Sequence, residues 1–178
     1  MLKWFFRRRI DAFEQAWGYD SAYLREMLDA SPRGFAKLSL LQPLMRHRED
    51  APAAAVAAAK IAATLAADCG PCLELAIRMA RRSGLSAPLV DAIVAGDQAA
   101  MSDEARLGYA FAGAVVARDA GEAARLRGRI VHLWGRKALV TLATTIATAG
   151  IYPSLKYALG RGRKAGGLAS AVRTAKAA

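Results

Sequence analysis

The feature that most constrains this chain is the helical spacing of its apolar residues from end to end. In almost every segment they recur every three or four residues, as they do on one face of an α-helix. No run of alternating apolar and polar residues, bounded by turns, predicts a strand. We therefore expect an all-α protein, a bundle of about 8–10 helices.

Prolines, glycines and capping residues set the expected ends of these helices. Ser31 and Pro32 open the third helix, which Pro43 is expected to kink or end early. The predicted helices cover residues 2–17, 21–28, 32–47, 53–67, 73–83, 87–95, 104–118, 121–134, 135–149 and 152–159.

The length of 178 residues fits one domain. We predict a single helical domain over residues 1–160, with N-terminal helices in 1–50 and a core in 51–160, followed by a basic, flexible tail in 161–178. Much of the apolar content is alanine, which buries little surface per residue. We therefore expect a homo-oligomer, with a dimer as the first guess.

The net charge of +11 comes largely from the two ends of the chain. Arginines occupy positions 7–9, and further basic residues follow position 160. We expect this basic surface to be solvated or to face a partner, and peripheral contact with an anionic membrane stays open as an alternative. No nucleic-acid-binding motif is present, so nucleic acid is not an expected partner.

The N-terminus lacks the apolar core of a secretory signal. Three aromatic residues at positions 4–6 are followed at once by three arginines and Asp11. The longest apolar run, in residues 138–152, is shorter than the ~20 residues that span a bilayer. We expect a cytoplasmic protein in which this run forms a core helix.

Cys69 and Cys72, separated by glycine and proline, form a C-x-x-C pair. In a reducing compartment such a pair is redox-active, metal-binding or accidental. A zinc site would need further ligands, and His47 and His132 are the only histidines in the chain, so we expect no metal. Thioredoxins place this tetrapeptide after a buried strand, whereas residues 62–67 have a helical pattern, which excludes that fold.

The position of the cysteines favours a reactive thiol. Pro71 favours a helix that starts here, and a helix N-terminus lowers the pKa of a thiol. Asp68 opposes this effect. Exposure at the helix cap would favour Cys69 as the nucleophile, with Cys72 in the first turn.

Residues 58–96 combine an alanine-rich helix, the C-x-x-C pair, a second helix, Gly84-Leu85 and a further short helix. This order resembles the core of the alkylhydroperoxidase D and carboxymuconolactone decarboxylase superfamily. The similarity continues through residues 102–160, which end in an aromatic helix like that of the family. The resemblance implies an alkylhydroperoxidase D-like bundle.

The resemblance also implies thiol peroxidase chemistry, in which Cys72 attacks the peroxide and Cys69 resolves the product. The family's peroxidases carry a glutamate twelve residues before the first cysteine and a histidine four after the second. Ala57 and Ala76 occupy those positions here. We therefore expect a thiol-disulfide redox protein that reduces a peroxide or a disulfide, needs an unidentified thiol reductant, uses no cofactor and has weak peroxidase activity. Whether it turns over as an enzyme stays open.

Two residues near the cysteines are candidates to replace the missing proton-transfer groups. Lys60 interrupts an apolar helix face, so it either points toward the cysteines and lowers a thiol pKa or extends to the surface. Glu74 follows Cys72 by two residues, and a surface salt bridge with Arg78, four residues on, is the alternative role. His132 lies near a helix end, where a structural role is expected.

A different class of function remains as the alternative. The basic amphipathic helix in residues 2–17 would dock a non-catalytic helical oligomer onto a protein partner or an anionic membrane. Against this, we expect its face of Trp4, Phe5, Ile10 and Phe13 to pack on the rest of the protein.

Overall fold

A computed structural model describes residues 2–162. Within this range the chain forms ten α-helices and no strand, which confirms the all-α prediction. The helices are α1 (Leu2–Trp17), α2 (Ala22–Ala30), α3 (Pro32–Ser39), α4 (Leu41–Arg46), α5 (Ala53–Ala66), α6 (Gly70–Arg82), α7 (Ala87–Ala95), α8 (Asp103–Val116), α9 (Ala120–Ala149) and α10 (Ile151–Ala158).

The single helix predicted over residues 32–47 is two helices, α3 and α4, which meet at Leu40. Ser31 starts α3 as predicted, because its hydroxyl accepts a hydrogen bond from the Gly34 amide at 3.2 Å. Pro43 explains the break. It has no N–H to donate to the carbonyl of Ser39, and its ring would clash with that carbonyl, so the helix ends there and restarts.

Helices α1–α3 share a small hydrophobic core of their own. It contains Phe6, Ile10, Leu28 and Phe35, and the rings of Phe6 and Phe35 meet edge to face at 5.2 Å. Phe6 and Ile10 are four residues apart and therefore share one helix face, which is the face that packs.

Trp4 and Phe5 were expected to pack on the rest of the protein together with Ile10 and Phe13, and for these two residues the prediction is wrong. Trp4 is 62% exposed and Phe5 49% exposed, because the helical turn places them away from the face of Phe6 and Ile10. The guanidinium groups of Arg8 and Arg9 lie over these two rings, at 5.0 and 5.7 Å from their centroids.

Helix α5 is the centre of the larger core. One side packs against α8 and α9, and the other against α6 and α7. Small residues allow the close approach: a Cβ on Gly108 of α8 would lie only 2.2 Å from the carbonyl oxygen of Ala55. Small residues therefore build this core through close contact between helices.

Helix α9 contains a break at Gly135, which has φ 82° and ψ 175°, a conformation that only glycine adopts readily. The two helical parts on either side match the separate helices predicted from the sequence. By length and composition alone, the stretch Ala120–Ala158 could cross a membrane, and 39% of its apolar window is buried inside the protein. The core helix of a folded domain passes the same test, and Leu142 and Ile146 of this stretch pack in the core.

The end of the described chain returns to the N-terminal helices. Arg161 forms an ion pair with Glu26 of α2. Arg161 belongs to the predicted basic tail, whereas residues 163–178 of that tail lie outside the described residues.

Candidate active site

The C-x-x-C pair forms the first turn of α6. Cys69 is the N-cap in extended conformation, Pro71 lies in the first turn, and the Leu73 amide donates to the Cys69 carbonyl at 2.9 Å. The helix thus begins at Gly70, three residues earlier than predicted, since Pro71 has a backbone angle already suited to a helix. The side chains of Cys69 and Cys72 therefore lie at the positive end of the α6 dipole, where a thiolate is stabilised.

The turn that precedes the pair is held from α10. Asp68 has a φ of 48°, in the left-handed region that aspartate tolerates better than most residues. The hydroxyl of Tyr157 donates a hydrogen bond to the Asp68 carbonyl at 3.0 Å. The Asp68 side chain itself is exposed, so solvent screens its effect on the thiols.

Cys69 and Cys72 are joined as a disulfide, with their Cα atoms 5.3 Å apart. The two residues differ in access. Cys69 is 2% exposed, whereas Cys72 is partly exposed and lines a cavity of about 440 Å³. A molecule in the cavity can therefore reach Cys72 but not Cys69.

This cavity lies between the N-terminal helices and the core. Helices α1–α4 supply one wall, largely aromatic and aliphatic, and α5, α6, α10 and the end of α9 supply the other. A volume of this size is typical of small-molecule sites, which occupy roughly 300–1,000 Å³. The prominent apolar lining residues are Phe6, Ile10, Phe13, Trp17, Tyr23, Phe35, Leu38, Met45, Leu75 and Met79.

Lys60 lines the same cavity as Cys72. Its ammonium lies 3.2 Å from the Sδ atom of Met79, a weak acceptor. Burial, and secondly the positive charge of Arg48, lowers the pKa of Lys60 from 10.5 to about 8. Lys60 is therefore partly buried at the cavity wall, and its predicted effect on a thiol pKa stays a prediction.

The two positions at which the resemblance would place proton-relay residues hold apolar groups in the structure. Ala57 and Ala76 are buried in the core cluster around α5 and α6, and Ala76 also lines the cavity. The cavity lining contains no aspartate or glutamate within the described chain. No carboxylate from elsewhere in this range therefore takes the place of the missing glutamate.

Glu74 does not line the cavity. It forms the predicted i to i+4 ion pair with Arg78, at 3.5 Å. Arg78 also donates to the carbonyls of Trp17 and Gly18, the latter at 2.9 Å. These contacts join the end of α1 to α6, the helix that carries the cysteines. Glu74 therefore lies at a contact between helices and not in the cavity.

Sequence reasoning did not assign to the site three tyrosines that line the cavity, Tyr19, Tyr23 and Tyr152. Tyr152 accepts a hydrogen bond from the Gln42 side chain at 2.9 Å. The ammonium of Lys156 lies over the rings of Tyr19 and Tyr23, at 4.5 and 4.8 Å. Burial raises the pKa of all three tyrosines, so they stay neutral. Their positions 19, 23 and 152 are too far apart in the chain for a motif to indicate them.

The histidines do not join the site. His47 lies 3.5 Å from Glu49, and His132 is exposed. Within residues 2–162 no group of three or more histidine, cysteine or acidic residues could hold a metal ion.

Comparison of the chain with protein-family models, curated proteins and solved structures found no match. The resemblance to alkylhydroperoxidase D-like proteins therefore stays a prediction from the sequence.

Proposed function

We propose that this chain is a thiol-disulfide redox protein, with Cys72 as the attacking sulfur and Cys69 as the resolving one. The observation that carries this proposal is the disulfide at the start of α6, with Cys72 facing the cavity and Cys69 buried. The proposed order agrees with the one that the resemblance implies. It opposes the order expected from cap exposure, because the N-cap residue is the covered one.

With a hydroperoxide, the chemistry requires the reduced pair. The Cys72 thiolate attacks the terminal peroxide oxygen, the O–O bond breaks, and the alcohol leaves after taking up a proton. Cys69 then attacks the sulfenic acid, which forms the disulfide and releases water. Because Cys69 needs to reach only Cys72, its burial is compatible with this step.

With a disulfide substrate, the same two sulfurs act by exchange. Cys72 forms a mixed disulfide and releases one substrate thiol, and Cys69 then displaces the second. In either case the Cys69–Cys72 disulfide must be reduced again by an external dithiol, which accounts for the two electrons.

Lys60 is the group that supports this chemistry from within the cavity. Its positive charge stabilises a thiolate in the same cavity, which lowers the pKa of the thiol. With its own pKa lowered to about 8, it can also donate a proton to a departing alkoxide near neutral pH. A lysine does not reproduce a paired glutamate and histidine, so peroxide turnover is expected to be weak.

The test is the reactivity of the pair in the purified protein. Mild oxidation of the reduced protein should remove two hydrogen atoms, detected by mass spectrometry, and dithiothreitol should restore them. Under native conditions iodoacetamide should modify Cys72 in the Cys69→Ser variant much faster than Cys69 in the Cys72→Ser variant. Thiols that stay reduced under oxidants would overturn the redox proposal, and faster modification of Cys69 would reverse the roles.

A second candidate function is attachment to an anionic lipid surface through α1. Trp4 and Phe5 are exposed beside Arg8 and Arg9, and an aromatic and basic surface of this kind suits the membrane interface. Sedimentation with vesicles that contain phosphatidylserine tests it. Binding should decrease when Trp4 and Phe5 are both replaced by alanine, and the absence of binding at low salt would eliminate this function.

A further inference from the structure

The cavity beside Cys72 has a chemical character that the redox proposal does not use. Its walls are apolar and aromatic, with Phe13, Trp17 and Phe35 from the N-terminal helices facing Leu75 and Met79 of α6. Surfaces of this kind take up the body of an apolar ligand. The polar groups among them therefore decide which ligand fits.

The charges of the lining are of one sign. Arg9, Arg46 and Lys60 contribute positive charge, and no acidic side chain of the described residues lines the cavity. Arg9 and Arg46 are exposed to water, whereas Lys60 is partly buried. Lys60 is thus the cation that a ligand inside the cavity would meet.

Lys60 is incompletely satisfied by the protein. An ammonium carries three donors, and the one side-chain hydrogen bond found for it in residues 2–162 goes to the thioether of Met79 at 3.2 Å. No carboxylate in this range lies within ion-pair distance of it. A buried cation without an anionic partner is costly, and a bound anion would remove that cost.

We propose that the cavity binds a small apolar monocarboxylate, with the carboxylate on the Lys60 ammonium and the hydrocarbon body between the aromatic wall of α1–α3 and helix α6. An alcohol of the same length would leave the ammonium without a counter-charge. A cationic amphiphile would be repelled by it. The proposed ligand is therefore distinguished from other apolar molecules by its charge.

Calorimetric titration of the oxidised protein with decanoate, decanol and decyltrimethylammonium tests the proposal. Decanoate should bind with a stoichiometry of one per chain and more tightly than the other two compounds. Lys60→Met should weaken decanoate binding by at least about tenfold, the loss expected for a charge-assisted hydrogen bond, and leave decanol binding unchanged. Equal binding of decanoate and decanol, or equal binding by wild type and Lys60→Met, would overturn the proposal.

Two further variants separate a specific site from general attraction to a basic protein. Lys37→Met removes one exposed lysine from α3, so it lowers the net charge as Lys60→Met does and should leave decanoate affinity unchanged. Cys72→Ser should retain decanoate binding, because the site does not depend on thiol chemistry. Loss of binding in Lys37→Met to the same degree as in Lys60→Met would show that only net charge matters, which would refute the site whatever the outcome of the thiol experiments.

Discussion

Replacing Lys60 with methionine is expected to stabilise the protein at neutral pH, because the fold partly desolvates this ammonium. The pKa of Lys60 falls from 10.5 to about 8 in the folded protein, chiefly through burial. Each pKa unit corresponds to about 1.4 kcal/mol. Below pH 8, where both states are protonated, the buried charge therefore lowers the free energy of unfolding by about 3 kcal/mol.

The sign of the pH dependence follows from the same values. Between pH 8 and 10.5, the unfolded chain keeps the lysine proton while the folded chain releases it, so wild-type stability rises with pH. From about pH 7 to about pH 9.5 the gain attributable to Lys60 is about 2 kcal/mol. The stability gap between Lys60→Met and wild type should narrow by that amount over this range.

Urea unfolding at the two pH values measures the gap, and the difference between the two proteins cancels the titration of other groups. Lys37→Met on the exposed face of α3 is the matched control for the loss of one lysine. A constant gap for Lys60→Met would show that Lys60 is solvated, and both its proposed roles in the cavity would then lose their basis.

Two further predictions concern packing and assembly. In urea unfolding, Gly108→Ala should lower the free energy of unfolding by about 1–3 kcal/mol or more, because the added Cβ would lie 2.2 Å from the Ala55 carbonyl oxygen. The control is Gly113→Ala on the same helix, whose added Cβ meets nothing within 4 Å. This control should be neutral or stabilising. The chain should sediment as a homo-oligomer at micromolar concentration. Val140 of α9 is 51% exposed, and Val140→Glu should shift the chain toward monomer. A stable wild-type monomer would contradict the prediction.

The helical fold could be predicted because the signals that define it are local. The end of α1 at Trp17 and the start of α7 at Ala87 depend on residues within one turn, and both agree with the prediction from the sequence. The break between α3 and α4 at Leu40 was not placed correctly from the sequence. Pro43 signalled an interruption, but its effect falls on the carbonyl four residues earlier, so the break precedes the proline.

The chemistry-bearing pair could also be recognised from the sequence, whereas its surroundings could not. The sequence places Cys69 and Cys72 at the start of a helix, and the structure places a disulfide there. The access to Cys72 depends on the cavity that forms between α1–α4 and α6, and no local pattern encodes that arrangement. Lys60 illustrates the same limit, since its burial is set by residues distant in the chain.

The face of α1 illustrates a different source of error. Trp4, Phe5, Ile10 and Phe13 are all apolar, and composition alone treats them as one surface. The i to i+4 relation places Ile10 on the buried face together with Phe6. Trp4 and Phe5 lie outside that face and remain exposed. The exposed pair is what keeps lipid attachment as a candidate function.

The two proposals for the cavity are linked through Lys60. In the oxidised protein the cysteines carry no charge, so Lys60 has no counter-ion from the pair. Reduction allows a Cys72 thiolate to form in the same cavity, and this thiolate repels a bound carboxylate and competes with it for the ammonium. The disulfide form should therefore bind the carboxylate more tightly than the dithiol form. By reciprocal linkage, a bound carboxylate must then favour the disulfide and lower the reduction potential of the pair.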